Sequence, residues 1–234
     1  MKSLAVLGLS AVLAASTPGS ARADGVTDWN AASFDVMSAA NVGGAPGARA
    51  FAIVHVSMAD AVNAVQNRYA RFAHKGPLQP SASAEVAASS AARSALLALF
   101  PAQRARIDAA YEAATAGVPG GPAKDAGVRL GEETAAAVLA DRANDDDSSV
   151  PETYRPITAP GTWVPTTPPL TAQYARAKPW GFDKADRFRP GPPAELTSAL
   201  YARDYNETKV SVAFAARSAR RHRPMPSSFG RRPT

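Results

Sequence analysis

Apolar residues recur every three or four positions through the alanine-rich stretch 48–143, and this spacing constrains the fold more than any other feature. The period matches one face of an α-helix, and alanine is the best helix former. Its small side chain also lets neighbouring helices pack closely. Glycine and proline interrupt the pattern at 75–80 and 117–121. We therefore predict an all-α protein built as a helical bundle.

Four helices are predicted within this stretch. The first covers 48–65, and the second begins after Ser83, a good N-cap, with Glu85 in the first turn where the helix dipole favours an acid. Pro101 ends the second helix and suits the first turn of the third, and the fourth covers 122–143. The predicted core positions are Phe51, Val54, Met58, Ala61, Val62 and Val65, then Leu96, Leu97 and Phe100, then Ile107, Tyr111 and Ala114, then Val128, Ala135, Val138 and Leu139. Residues 24–47 are predicted to form a loop or a short helix leading into the bundle.

The first 23 residues have the pattern of a secretory signal peptide. Lys2 gives a positive start, residues 4–15 are apolar or small, and Ala21-Arg22-Ala23 fits the cleavage site, which would leave Asp24 as the mature N-terminus. The apolar run is shorter than the roughly 20 residues that a spanning helix needs. We expect a secreted or periplasmic protein without a membrane span.

Cysteine is absent, which excludes thiolate zinc sites, cysteine nucleophiles and disulfides. The net charge of +6 comes from the last 25 residues, which contain six arginines and no acid. Without these six, 20 basic residues balance 20 acidic residues. The alkaline character therefore belongs to a basic tail, 210–234, and a nucleic-acid-binding domain is not expected.

Residues 144–193 contain ten prolines, so we predict extended or irregular chain there. A disordered linker seldom contains as many aromatic residues as this segment, which carries Tyr154, Trp163, Trp180 and Phe182. We expect it to wrap over the helical body. Residues 195–209 are predicted to return to helix, with Leu196, Leu200 and Tyr201 as packing positions.

The chain has only three histidines, so few catalytic arrangements with histidine are possible. His55 and Asp60 are five residues apart on the first helix, about 140° around it, so they do not share a face or form a metal motif. We expect His55 to pack against a neighbouring helix and Asp60 to make a structural hydrogen bond. His74 is expected in a solvated turn, and His222 lies in the basic tail.

Other candidate motifs also favour structural roles. No nucleophile elbow is present, and the glycines of 43–47 lack the lysine that ends a phosphate loop. We expect the carboxylates Glu132, Glu133 and 145–147 to be exposed. The cations of 184–190 are expected to form a surface patch. We assign no catalytic, cofactor-binding or metal-ligating residue.

A series of landmarks in a fixed order is more specific than any single motif. They are Asp28-Trp29-Asn30, the segment 50–63 with His55, Asp60 and Asn63, Leu99-Phe100-Pro101, Gly127 to Glu132, Arg142 to Asp145, Tyr154-Arg155-Pro156, 160–166 around Trp163, 196–198, and Tyr201 to Lys209. Together they resemble the N-terminal half of bacterial vanadium-dependent haloperoxidase-like proteins, in the type 2 phosphatidic acid phosphatase superfamily. The resemblance covers about residues 28–209 and implies an all-helical fold.

The resemblance also implies vanadate as the cofactor of the full-length family. There a lysine and an arginine of one motif, a Pro-Ser-Gly-His motif, and a last arginine followed by a ligating histidine hold the oxyanion. Bound peroxide then oxidises halide, while in phosphatase relatives the same histidine attacks phosphorus. These motifs are missing here: Lys184 and Arg189 have the wrong spacing, and Ser227 to Gly230 and Arg220-Arg221-His222 do not match.

The match stops at Lys209, where an Arg/Pro/Ser-rich sequence begins that is typical of an out-of-frame segment. We hypothesise that a frameshift or truncation removed the catalytic half, which leaves an inactive haloperoxidase-like chain. An acid phosphatase relative and a non-catalytic helical interaction module are the alternatives. Because half a bundle exposes faces meant for the other half, we also expect self-association.

Overall fold

The computed structural model describes residues 24–145, 157–167 and 170–221, and within these residues it contains six α-helices and no strand. The helices are α1 (Gly25–Ala39), α2 (Gly44–Gln66), α3 (Ala84–Leu99), α4 (Arg104–Thr115), α5 (Pro122–Asp141) and α6 (Ala199–Arg221). The all-α prediction is confirmed. The described chain forms two compact units, the first made of 24–145 and 171–178 and the second of 157–170 and 179–221.

Helix α1 corrects the prediction of a loop or short helix at 24–47. Asp24 caps it, because its side chain accepts a hydrogen bond from the Thr27 backbone N–H at 2.9 Å. This bond and a second one from the Thr27 hydroxyl lower the pKa of the Asp24 carboxyl. The buried residues Trp29, Ser33, Val36 and Met37 follow the helical period and give α1 its inner face.

Helix α2 extends the predicted 48–65 helix by a turn at its N-terminus. The predicted core residues Val54, Met58 and Ala61 are buried, and the buried face is wider than predicted because it includes Ile53 and Ala64 as well. The helix ends at Asn67, which adopts a left-handed backbone conformation with φ of 50° and donates its N–H to the Asn63 carbonyl.

Helix α3 is central and packs against α1, α2, α4 and α5. Its predicted N-cap is confirmed, since Ser83 accepts from the Val86 N–H at 3.3 Å. Pro101 begins a short 3-10 helix, Pro101–Gln103, rather than the first turn of α4 itself. Of the core residues predicted for α5, Ala135 and Val138 are buried, whereas Val128 and Leu139 are half-buried.

Two glycines of α5 allow it to pack closely against α3. A Cβ atom at Gly131 would lie 2.5 Å from the Ala87 carbonyl oxygen, and one at Gly127 would lie 2.8 Å from the Ser83 carbonyl oxygen. Neither position can hold a side chain without moving the neighbouring backbone. The resulting contact includes Ala87, Ala91 and Leu130 in one buried cluster.

The described part of the proline-rich segment is irregular, as predicted, apart from a 3-10 helix at Ala172–Arg176. That helix belongs to the first unit, where the Lys178 N–H donates to the Asp145 carbonyl at 3.3 Å. In the second unit, Trp163 and Phe182 are exposed. Tyr154 lies outside the described residues. Within the first unit, residues 171–178 contact the helical body, as the prediction of a covering wrap implies.

Helix α6 differs from its prediction in length and in packing. It was predicted over 195–209, but it begins at Ala199 and continues through Arg221, past Lys209. The proposed packing positions Leu196, Leu200 and Tyr201 are all exposed, although Leu196 lies against Gly161 of the same unit. Among the described helices, none is both long and apolar enough to cross a bilayer.

Candidate functional site

A buried ion network is the densest polar feature of the first unit. Arg49 of α2 donates from Nε to Asp145 Oδ1 at 2.7 Å and from Nη2 to the Arg142 carbonyl at 2.7 Å. Only 3% of the Asp145 side chain is exposed, and only 1% of the Arg142 side chain. Asp145 was predicted to be an exposed turn residue, and this prediction is wrong because two arginines cover it. Asp146 and Asp147 lie outside the described residues.

Arg142 lies at the centre of this network. Its Nη1 donates to the Lys178 carbonyl at 3.0 Å, and its Nε lies 3.0 Å from Asp141 Oδ2. The guanidinium carbon is 5.1 Å from the centre of the Phe72 ring, a cation–π distance. Lys178 completes the group through a 2.7 Å bond from Nζ to Asp141 Oδ1. The network thus joins α2, the end of α5 and residues 171–178.

Asp60 organises the loop between α2 and α3. Its Oδ1 accepts from the Phe72 N–H at 2.6 Å, and its Oδ2 accepts from the Ala73 and His74 N–H groups at 2.8 Å each. Asn63, one turn further along α2, accepts from the Tyr69 N–H at 3.1 Å. The prediction that Asp60 makes a structural hydrogen bond is confirmed, and Asp60 accepts three such bonds.

His74 is buried, with 6% of its surface exposed, so the prediction of a solvated turn is wrong. Its Nδ1 lies 3.2 Å from Arg71 Nη1, and because arginine can only donate, Nδ1 is the acceptor. The neutral ring therefore carries its proton on Nε2, which lies 3.8 Å from Glu133 Oε2. The Asp60 bonds hold the His74 backbone inward, a tertiary effect that the local turn pattern does not reveal.

His55 contacts a neighbouring helix, as predicted. Its Nε2 lies 3.3 Å from Asn30 Oδ1 of α1, and its ring stacks on Phe51 of α2. Burial lowers the pKa of the His55 imidazole. This contact links α1 to α2. The Asp60 carboxylate instead accepts its three hydrogen bonds from the loop after α2.

The ion network, Asp60, His55 and His74 are all engaged with other protein groups, which is the arrangement of a fold-stabilising network. Arg49 was not predicted to have a role, and Arg142 and Asp145 were named as landmarks of the resemblance but not as partners in an ion network. A signal for Arg142 was present, because it continues the four-residue spacing of the buried Leu130, Thr134 and Val138. Among the described residues, no group of three or more histidine, aspartate or glutamate side chains could hold a metal ion.

The residues whose sequence comes nearest to the vanadate motifs of the resembled family do not form an oxyanion-binding site. Lys184 and Arg189 are exposed, and Arg187 pairs with Asp183 at 3.8 Å. Holding a desolvated oxyanion requires several fixed cations and donors that converge on it. His222 and residues 227–230 lie outside the described residues, so their predicted mismatch stays a sequence observation.

An open cleft of about 670 Å³ lies between α1, α2, α3 and α4. Trp29, Met58 and Ser89 line its inner part, where Trp29 Nε1 donates to Ser89 Oγ at 3.2 Å. Asp28 and Glu85 lie on its exposed edge. No family model, curated protein or solved structure matches this chain, so the resemblance drawn from the sequence stays a prediction.

Proposed function

We propose that this chain is the N-terminal scaffold half of a haloperoxidase-like protein and has no peroxidase activity of its own. The observation that carries the proposal is the role of the landmark residues. Trp29 is buried in α1, Asp60 and Asn63 hold the loop after α2, and Arg142 and Asp145 form the ion network. All of these landmark residues have structural roles, which supports a scaffold without a catalytic site.

Vanadate and peroxide test this proposal directly. We expect the 234-residue chain, incubated with orthovanadate, bromide and hydrogen peroxide, to brominate a phenol acceptor no faster than buffer containing vanadate. Peroxide-dependent bromination that saturates with vanadate would refute the absence of a site. Hydrolysis of p-nitrophenyl phosphate above background would instead support the acid phosphatase relative.

The truncation is tested at the level of the gene. Under the frameshift hypothesis, another reading frame downstream of the Lys209 codon encodes a Pro-Ser-Gly-His motif. Resequencing through this region and translating all frames decides the matter, and the hypothesis fails if no frame contains the motif. N-terminal sequencing of the exported protein tests the proposed leader, with Asp24 as the expected first residue.

A non-catalytic interaction module is the second candidate, and α6 is the observation that favours it. Leu200, Tyr205, Val210 and Val212 are exposed along this helix. Its first half is neutral, because Arg203 and Lys209 balance Asp204 and Glu207. Pairing with the same helix of a second copy would bury these apolar side chains without bringing acids together, so the proposed partner is a second copy of the chain.

Light scattering across a concentration series tests this pairing. We expect the full chain to form dimers, and Tyr205→Lys with Val212→Lys to shift it to monomer. Arg203→Lys, on the same helix, is the matched control and should leave the dimer intact. A chain that stays monomeric at all concentrations, or a double variant that dimerises as well as wild type, excludes pairing through α6.

A further inference from the structure

The cleft between α1, α2, α3 and α4 has the size and walls of a ligand site. Its volume of about 670 Å³ lies within the range of small-molecule pockets, roughly 300–1,000 Å³. Six alanines line it, and their short side chains leave the space open: Ala32, Ala84, Ala88, Ala110, Ala113 and Ala114. With Met58 and Val62 they form a largely apolar wall suited to an aliphatic or aromatic group.

The charged groups at this cleft have a single sign. Asp28 and Glu85 contribute carboxylates, and no described lysine, arginine or histidine lines the cleft. Within the described chain, neither carboxylate has an ion pair or a side-chain hydrogen bond. Both residues lie in the first turn of a helix, where the dipole offsets part of a carboxylate charge. The cleft therefore keeps a net negative charge beside its apolar wall.

We infer that this cleft binds a small amphipathic cation, an apolar group that carries a primary ammonium. The apolar part would lie against the alanine wall, and the ammonium would donate to Asp28 and Glu85, since charge-assisted hydrogen bonds are the stronger kind. The neutral residues Gln66 and Ser89 add no opposing charge. Asp28, Trp29 and Met58 also belong to the landmarks of the resemblance. The inference does not depend on the proposed scaffold role, because it is argued only from the shape and charge of the cleft.

Three probes that share one alkyl chain separate charge from apolar burial. Octylammonium, octanol and octanesulfonate, each below its aggregation concentration, are titrated into the full chain by calorimetry. We expect one saturable octylammonium site, at least tenfold weaker binding of octanol, and no saturable binding of octanesulfonate. Equal binding of the anion and the cation would overturn the inference, as would uptake that never saturates.

Substitutions of the residues that line the cleft test whether octylammonium binds there. Asp28→Asn and Glu85→Gln should each weaken octylammonium binding about threefold, and together about tenfold, as expected for exposed charges. Asp35→Asn on the exposed side of α1 is the charge control and should have no effect. Ala88→Leu fills the cleft and should abolish binding, whereas Ala98→Leu, at an exposed position of the same helix, should not. Unchanged binding in both carboxylate variants refutes the site even if Ala88→Leu fails to fold.

Discussion

At the residue scale, one carboxylate fixes the conformation of the loop that follows α2. Asp60 accepts three backbone N–H groups, and only 2% of its surface is exposed. In Asp60→Asn an amide NH₂ replaces one oxygen and faces a backbone donor, which leaves buried N–H groups unsatisfied. We expect the free energy of unfolding to fall by about 1–3 kcal/mol.

Chemical denaturation measures this loss, and hydrogen exchange locates it at the amides of Phe72, Ala73 and His74, which should exchange faster. Asp35→Asn is the control, because Asp35 lies exposed on α1. If both variants unfold at the same denaturant concentration, the three bonds contribute nothing to stability.

His55 should make stability depend on pH. Burial lowers its pKa in the folded protein below the usual value of about 6.5. Between these two values the unfolded chain binds more protons than the folded chain, so stability rises with pH and is lost as pH falls below about 6.5. Urea unfolding at about pH 7.5, 6.5 and 5.5 should show a smaller decline for His55→Gln than for wild type. Identical declines would mean that His55 does not contribute.

The sequence predicts the kind of role that Asp60 and His55 have, but not their partners. Their spacing on the helix excludes a shared metal site, and their structural roles are confirmed, although the partners lie in the loop 72–74 and in α1. His74 and Asp145 were both predicted to be exposed, because each lies in a turn. The burial of His74 depends on Asp60, and that of Asp145 depends on Arg49 as well as on Arg142 three residues before it. Asp60 and Arg49 are distant in sequence from the residues they bury, and the turn patterns do not contain that information.

At the scale of elements, the closest contact lies between α3 and α5. A methyl group at Gly131 would lie 2.5 Å from both the Ala87 carbonyl oxygen and the Ser90 Cβ. The cost of overpacking, about 1–3 kcal/mol, exceeds the gain in helix propensity of up to about 1 kcal/mol. We therefore expect Gly131→Ala to lower the free energy of unfolding by about 1–2 kcal/mol.

Gly25→Ala is the matched control for this substitution. Gly25 is also helical, but a Cβ atom there would meet nothing within 4 Å. This variant should be as stable as wild type or slightly more stable in the same denaturation series. Equal losses in the two variants would show that backbone freedom, and not close packing, determines the effect.

Helix ends were predictable where a side chain marks them and unpredictable elsewhere. Ser83 caps α3 as predicted, because its hydroxyl accepts from Val86. Asp24 caps α1 in the same way, but residues 24–47 were predicted to form a loop or a short helix, and the 15-residue helix α1 is longer than that. At α6, the change in composition after Lys209 suggested an end, but alanine and arginine are good helix formers and the helix continues to Arg221.

At the scale of the whole first unit, the ion network connects parts of the chain that are far apart in sequence. Arg49, Asp145 and Lys178 come from α2, from the turn after α5 and from the segment after the 3-10 helix. The sequence predicted the helices themselves, since their apolar faces are local. Neither the pairing of these charges nor the inclusion of 171–178 in this unit could be predicted, because both depend on how the helices pack.

The Arg49–Asp145 pair should therefore stabilise the whole first unit. Removing one partner of a buried pair costs about 3–5 kcal/mol when the other charge is left uncompensated. In Arg49→Met, Arg142 Nη1 still lies 3.6 Å from Asp145 Oδ2, and 17% of the Arg49 side chain is exposed in the wild type. We therefore expect this variant to cost at most about 3 kcal/mol. Arg68→Met, at an exposed position just after α2, should cost much less.

The double variant Arg49→Met/Asp145→Leu should lose less stability than the sum of its single variants, because neither side chain of the pair is left without the other. Denaturation of the wild type, Arg49→Met, Asp145→Leu and the double variant completes the cycle. Limited proteolysis should show earlier cleavage within 171–178 in Arg49→Met than in the wild type. Strictly additive losses would mean that the two side chains stabilise the unit independently and that the network is not one structural element.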